Sequence, residues 1–187
     1  MHIFNQEVEY QRTRSKAYAR VKHKGVYRRI LATEVLEKLE LLGIEIKSER
    51  TLQRYVKDGL IPMPERKSGG RGKGKITDYQ EETPAEFYAS HKLRFEHGLK
   101  PDFIARCREK GLRMEKENNG LAFIDWFDEP LPGDEVDANG VVVSKYLYNP
   151  RTMQEVGFGQ TWLKEKHRVL HHGQHEGCLV CQNLNVE

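Results

Sequence analysis

The sequence predicts a mainly α-helical protein that carries a small β wing and ends in a small α+β region. Two helix-forming segments, residues 30–42 and 48–58, follow each other closely. A run in which glycine alternates with cations, Ser68 to Lys75, then lies between extended-looking flanks. Pro84 and Pro101 each mark the start of a further helix. Helix, turn, helix, hairpin, helix, helix is the order of a winged helix-turn-helix.

The first helix is predicted from an apolar stripe over residues 30–42. Leu31, Val35 and Leu39 recur at near-helical spacing, with charged residues between them. Gly43 follows, and glycine readily takes the left-handed conformation that ends a helix. The helix is therefore expected to stop there.

The second helix is predicted to begin after Ser48, whose hydroxyl can accept the free backbone amide of Thr51. It runs to about Asp58 and is expected to end at Gly59. Its apolar face consists of Leu52, Tyr55 and Val56. Its outward face carries long polar side chains, which include Arg50, Gln53, Arg54 and Lys57.

Charge is unevenly distributed along this chain of 187 residues, whose formal net charge is +3. Residues 12–29 contain cations but no acids, and cations outnumber acids in residues 47–75. Residues 125–137 contain acids but no bases. Such segregation indicates a basic front half that meets a polyanion and an acidic segment turned elsewhere.

The composition predicts a soluble, cytoplasmic protein. The longest apolar runs are far too short to cross a membrane, and the N-terminus lacks the basic region and apolar core of a signal peptide. Three cysteines without a framework of spacings indicate a reducing compartment. The sequence contains no recognisable nucleophile with a base and no phosphate-binding Gly-Lys-Thr/Ser motif. An enzyme is therefore not expected.

The outward face of the second helix predicts binding to double-stranded DNA. The major groove admits one helix, and arginine and glutamine are the residue types that form paired hydrogen bonds with guanine and adenine edges. The glycine-rich hairpin tip would let the backbone approach phosphates closely. Its cations, which would neutralise those phosphates, are Arg71, Lys73 and Lys75.

The run from Ser48 to Pro62, together with Pro64 to Arg66, resembles the DNA-binding domain of the MerR superfamily of bacterial transcription regulators. The residues that match the family pattern are Thr51, Leu52, Tyr55, Gly59, Leu60 and Ile61. The resemblance implies a winged helix-turn-helix over residues 29–115, with sequence-specific binding to duplex DNA and a role in transcription regulation. A homodimer on a two-fold symmetric site is expected of such modules. Members of this family commonly dimerise through a long terminal helix, but no sustained heptad repeat predicts one here, so residues 116–170 are the expected interface.

Histidines and cysteines cluster in the last 21 residues. If a helix covers Thr161 to His172, His167 and His171 lie one turn apart on the same side. The two-residue gap between Cys178 and Cys181 lets a tight turn present two thiolates to one zinc ion. The set His167, His171, Cys178 and Cys181 is therefore a candidate structural zinc site. The set His172, His175, Cys178 and Cys181 is the alternative, although four ligands so close together would strain a single site.

The predicted organisation has four parts: a basic extension at 1–28, the winged domain at 29–115, an acidic α+β region at 116–160, and a helix with a His/Cys tail at 161–187.

Two other functions fit the same sequence. One is an architectural or mobile-element protein that bends or coats DNA. The other is an adaptor in which the acidic 125–137 segment and a zinc-bound tail bind a protein partner.

Overall fold

The computed structural model describes residues 28–68, 75–124, 126, 138–139, 150–171 and 177–186. The helices in this part of the chain are α1 (Ala32–Leu41), α2 (Glu49–Lys57), α3 (Thr83–Phe95), α4 (Pro101–Asn118), α5 (Pro150–His171) and α6 (Leu179–Leu184). The strands are β1 (Arg29–Leu31), β2 (Glu65–Ser68) and β3 (Lys75–Gln80). The prediction of a mainly helical protein with a small β component is confirmed. Residues 127–137 and 140–149 of the predicted α+β region lie outside the described residues.

The three strands form one antiparallel sheet in the order β1-β3-β2. Ile30 of β1 pairs with Tyr79 of β3, and both side chains are buried against the helices. Strand β2 is exposed along its whole length, and Ser68 pairs with Lys75 next to the connecting residues 69–74. The sheet therefore has one anchored edge and one edge, β2, that projects into solvent.

The start of the first helix differs from its prediction. Residues 29–31 form β1, and α1 begins only at Ala32. The carboxylate of Glu34 accepts a hydrogen bond from the Leu31 amide at 3.0 Å, which satisfies one of the free donors at this end. Pairing with β3, a strand nearly fifty residues away, determines the conformation of residues 29–31. The apolar periodicity extends through this strand and could not reveal it.

The ends of α1 and α2 are where the glycines predicted them. Gly43 and Gly59 both have positive φ angles, +77° and +74°. Ser48 is the N-cap of α2, but the predicted side-chain hydrogen bond is wrong: its backbone carbonyl accepts from the Thr51 amide at 3.1 Å, and its hydroxyl makes no cap bond.

Helices α3, α4 and α5 form the main helical layer, with α5 packed along both of the others. Close contact between α4 and α5 depends on two glycines. A Cβ atom added to Gly111 would lie 2.8 Å from the carbonyl oxygen of Gly159, far inside van der Waals contact. Trp162, fully buried, fills the space beside this crossing.

Helix α5 begins eleven residues earlier than the predicted start at Thr161. Gly157 and Gly159 lower the helix propensity of its first half, which conceals the extension in the sequence. Thr152 and Val156 are nevertheless buried on this segment. Packing against the helical layer thus outweighs the local cost of two glycines.

The core runs continuously from the sheet and α1–α2 hairpin into the layer of α3, α4 and α5. Cys107 is fully buried there, and burial raises the pKa of its thiol to about 12. Across the described residues, none of the helices combines the length and apolar character needed to cross a membrane.

Candidate metal centre and nucleic-acid interface

One face of α2 is polar and exposed. The exposed side chains on it are Arg50, Gln53, Arg54 and Lys57. On the opposite face, Leu52 and Tyr55 are buried, and the Tyr55 ring stacks on Phe87 of α3 with 4.0 Å between ring centroids. The apolar face therefore fixes the helix, and its long polar side chains point outward as the sequence predicted.

These four side chains form no hydrogen bond or salt bridge within the described part of the chain. Four charged side chains of the adjoining sheet, in contrast, form two ion pairs. Arg29 contacts Glu65 at 2.5 Å, and Lys67 contacts Asp78 at 2.9 Å. The outward face of α2 is thus a set of open donors beside a sheet that carries two ion pairs.

The predicted hairpin cations fall at the edge of the described region. Arg71 and Lys73 lie outside the described residues, as does the side chain of Lys75, whose backbone begins β3. The strands that carry this segment are in place, because β2 and β3 pair along their length up to Ser68 and Lys75.

A small cleft of about 60 Å³ separates α2 from the sheet. Tyr79 is one of the residues that line it, and the Tyr79 hydroxyl is buried without a hydrogen-bond partner among the described residues. Burial raises the pKa of Tyr79; the carboxylate of Glu49 adds to this, and the charge of Arg66 opposes it. The other lining residues are Gln53, Val56, Met63, Pro64, Arg66 and Thr77. Sequence analysis missed this cleft because its walls come from segments that only the tertiary fold brings together.

The four histidines and cysteines chosen from the sequence meet at one point. One ligand atom each from His167, His171, Cys178 and Cys181 lies within 4.8 Å of all the others. The histidines occupy successive turns at the end of α5, and the cysteines lie at the start of α6. This group of two nitrogens and two sulfurs could hold a metal ion. The alternative ligands His172 and His175 lie outside the described residues.

The centre is partly shielded from solvent. His167 and Cys181 are buried, and Nδ1 of His167 lies 3.5 Å from each of the two Sγ atoms. Burial raises the pKa of the Cys181 thiol to about 12, and Cys178 beside it adds to the effect. Metals bind the thiolate, so a cation at this centre has to displace the proton.

Two further residues lie next to the centre and were not predicted from the sequence. Glu115 of α4 contacts Nε2 of His167 through Oε1 at 2.8 Å, and Lys166 contacts both Glu115 oxygens at 3.0 and 2.8 Å. Burial acts to raise the pKa of Glu115, but the hydrogen bond with His167 and the charge of Lys166 outweigh it and hold the pKa at about 2. The pKa of Lys166 is raised, because the charges of Glu115, Glu86 and Glu82 outweigh its burial.

Comparisons of the chain with protein-family models, curated proteins and solved structures found no match.

Proposed function

We propose that the chain is a MerR-like winged helix-turn-helix protein that binds specific sequences of double-stranded DNA as a transcription regulator. The observation that carries the proposal is the face of α2: four exposed hydrogen-bonding side chains that have no partner among the described residues, on a helix fixed by buried Leu52 and Tyr55. Such a helix can enter the major groove without rearranging the protein.

The spacing of these side chains suits the groove. Arg50 and Lys57 are seven positions apart, about 10 Å along a helix that rises about 1.5 Å per residue. Bases follow each other about every 3.4 Å along one strand, so the row spans about three base pairs. Arg50, Gln53 and Arg54 read base edges in this proposal, since they are the types that form paired hydrogen bonds there.

The hairpin contributes affinity for the phosphate backbone. The cations Arg71, Lys73 and Lys75 clamp the backbone beside the groove, and Arg66 is exposed on β2 at the same side as the α2 cleft. Contacts of this kind carry little sequence information but position the helix on the duplex.

The metal centre is proposed to hold a structural zinc ion. A tetrahedral zinc ion with bonds of about 2.3 Å to sulfur and about 2.0 Å to nitrogen places those ligand atoms about 3.5 Å apart. The separations between Nδ1 of His167 and the Sγ atoms of Cys178 and Cys181 are both 3.5 Å. With His171 as the fourth ligand, no position remains open for a reacting molecule, which favours a structural role over a catalytic one.

The test is selection of bound sequences from random duplexes, with metal content measured on the same sample. We expect enrichment of a defined site and one zinc ion per chain. In gel shifts at matched salt, Arg50→Ala with Arg54→Ala should reduce the preference for the selected site. Lys73→Ala with Lys75→Ala should weaken binding to every duplex and flatten its salt dependence.

Lys116→Ala provides the control, because Lys116 is an exposed cation on α4. It should bind as the parent does. If both double variants also bind as the parent does, these surfaces are not the interface. Duplex binding without an enriched site would favour an architectural protein, and no duplex binding would favour an adaptor.

A further inference from the structure

A buried chain of charged groups leads from the metal centre into the protein. Lys166 is almost fully buried, and its ammonium lies 2.8 Å from Glu115 and 2.9 Å from Glu82. Glu115 in turn contacts His167 at 2.8 Å. Burying a charge is costly unless it is paired. The charges of Lys166 and its carboxylate partners are paired, and Glu115 makes a further contact with the metal-ligand candidate His167.

We propose that Glu115 is the positioning residue of the metal centre, holding the His167 imidazole so that Nδ1 faces the two thiols. The inference rests on the proposed zinc centre and goes beyond its ligands. It assigns a role to a carboxylate that lies 52 residues from His167 along the chain.

The ring nitrogens of His167 define this role. A carboxylate only accepts hydrogen bonds, so its contact with Nε2 requires Nε2 to carry the proton. In the neutral imidazole Nδ1 then presents its lone pair, and it lies 3.5 Å from both sulfur atoms. Ligating histidines generally donate their second N–H to such a partner, which fixes both the tautomer and the ring orientation.

Lys166 and Glu82 hold Glu115 in turn. Lys166 contacts both carboxylate oxygens, so the carboxylate cannot rotate away from His167 without losing a charged hydrogen bond. Glu82 follows β3 by two residues and caps α3. The path Glu82–Lys166–Glu115–His167 thus connects the metal centre to the end of the central strand of the sheet.

Two variants separate positioning from simple charge neutralisation. Glu115→Gln keeps the side-chain shape and an acceptor oxygen but removes the charge. Glu115→Leu with Lys166→Met replaces the buried pair by apolar groups, a change that proteins often tolerate. It leaves His167 without its acceptor and also removes the contact between Lys166 and Glu82. Glu117→Gln is the matched control, since Glu117 lies on the same helix but pairs with Arg113 at the surface.

Zinc affinity is measured by competition with a chromophoric chelator, and Co²⁺ absorption reports the ligand field. We expect the double variant to lose about 10- to 100-fold in zinc affinity, Glu115→Gln to lose less, and Glu117→Gln to match the parent. Imidazole ¹⁵N resonances of the metal-free protein should show His167 protonated at Nε2 in the parent and a mixture of tautomers in the double variant.

Parent-like zinc affinity in both Glu115 variants would overturn the positioning role while leaving the zinc centre intact. Absence of metal binding by the parent protein would overturn the centre, and the inference with it. If the double variant does not fold, Glu115→Leu alone takes its place, because it removes the acceptor of His167 while Lys166 keeps its contact with Glu82. An unchanged zinc affinity and Co²⁺ spectrum in that variant contradict the proposal.

Discussion

The outward face of α2 and the metal centre differ in how their polar groups are satisfied. The polar side chains on α2 are exposed and unpaired within the described residues. At the metal centre, His167 is buried and in contact with Glu115 and both cysteines. A surface that meets a large outside partner leaves its donors open, whereas a centre for a single ion orients its ligands from within.

This difference predicts which of the side chains contribute to the stability of the fold and which contribute to binding. Surface side chains away from caps and networks usually change the free energy of unfolding by less than about 0.5 kcal/mol. Ligands of a bound metal contribute binding energy that is also folding energy. Variants of the two regions should therefore change different measurements, and a variant that changed both would show that the regions are coupled.

The largest effect on stability is expected from Cys178→Ser combined with Cys181→Ser. Free zinc at about 100 times its dissociation constant stabilises a folded protein by about 2.7 kcal/mol, which corresponds to about 5–10 °C in melting temperature for a chain of this size. This zinc-dependent shift should disappear in the variant. Thermal unfolding with and without zinc measures it.

Arg50→Ala with Arg54→Ala is the control from the other region and should keep the full zinc-dependent shift. A cysteine variant that zinc still stabilises as much as the parent would contradict the assignment of both thiols as ligands.

A buried hydrogen-bond chain lies between the two regions and gives the next largest effect. Trp162 of α5 donates to the Ser90 hydroxyl at 2.9 Å, and Ser90 donates to the Leu60 carbonyl, just after α2, at 2.8 Å. Ser90→Ala leaves a buried donor and a buried acceptor without partners, which should cost about 1–3 kcal/mol of unfolding free energy. Urea unfolding monitored by circular dichroism measures this loss.

Ser48→Ala is the matched control for Ser90→Ala. Ser48 is exposed and its hydroxyl makes no cap hydrogen bond, so the change should fall below the roughly 0.5–2 kcal/mol typical of a lost serine cap. Equal losses of unfolding free energy in the two alanine variants would mean that the buried hydrogen bonds of Ser90 do not stabilise the fold.

The features that depend on local spacing are those that the sequence predicts well. The helix pair ending at Gly43 and Gly59 follows from apolar periodicity and glycine. Both pairs of metal ligands are equally local: two histidines one turn apart, and two cysteines separated by two residues. Such patterns are visible in the chain because neighbours in space are also neighbours in sequence.

Features built from distant segments could not be predicted this way. Residues 29–31 form a strand only because β3 pairs with them. In the sequence, Glu115 cannot be distinguished from an exposed acidic residue of a helix. Only the fold brings Lys166 and His167 of α5 into contact with it. The sequence does not reveal the first half of α5, because Gly159 lowers its helix propensity. The small size of Gly159 is required for contact with Gly111 of α4. In each case, tertiary packing overrides the local preference.

The smallest effect on stability is expected from Lys57→Ala, which tests the other side of the comparison. Lys57 is exposed at the last turn of α2 and has no hydrogen bond or salt bridge among the described residues. Its removal should change the unfolding free energy by less than about 0.5 kcal/mol, because no contact within the protein is lost. If Lys57 neutralises one phosphate, the slope of log affinity against log salt should become shallower by about 0.9. Fluorescence anisotropy with a labelled duplex over a range of salt measures the slope. An unchanged slope would place Lys57 outside the interface, and a clear loss of stability would mean that this face of α2 also supports the fold.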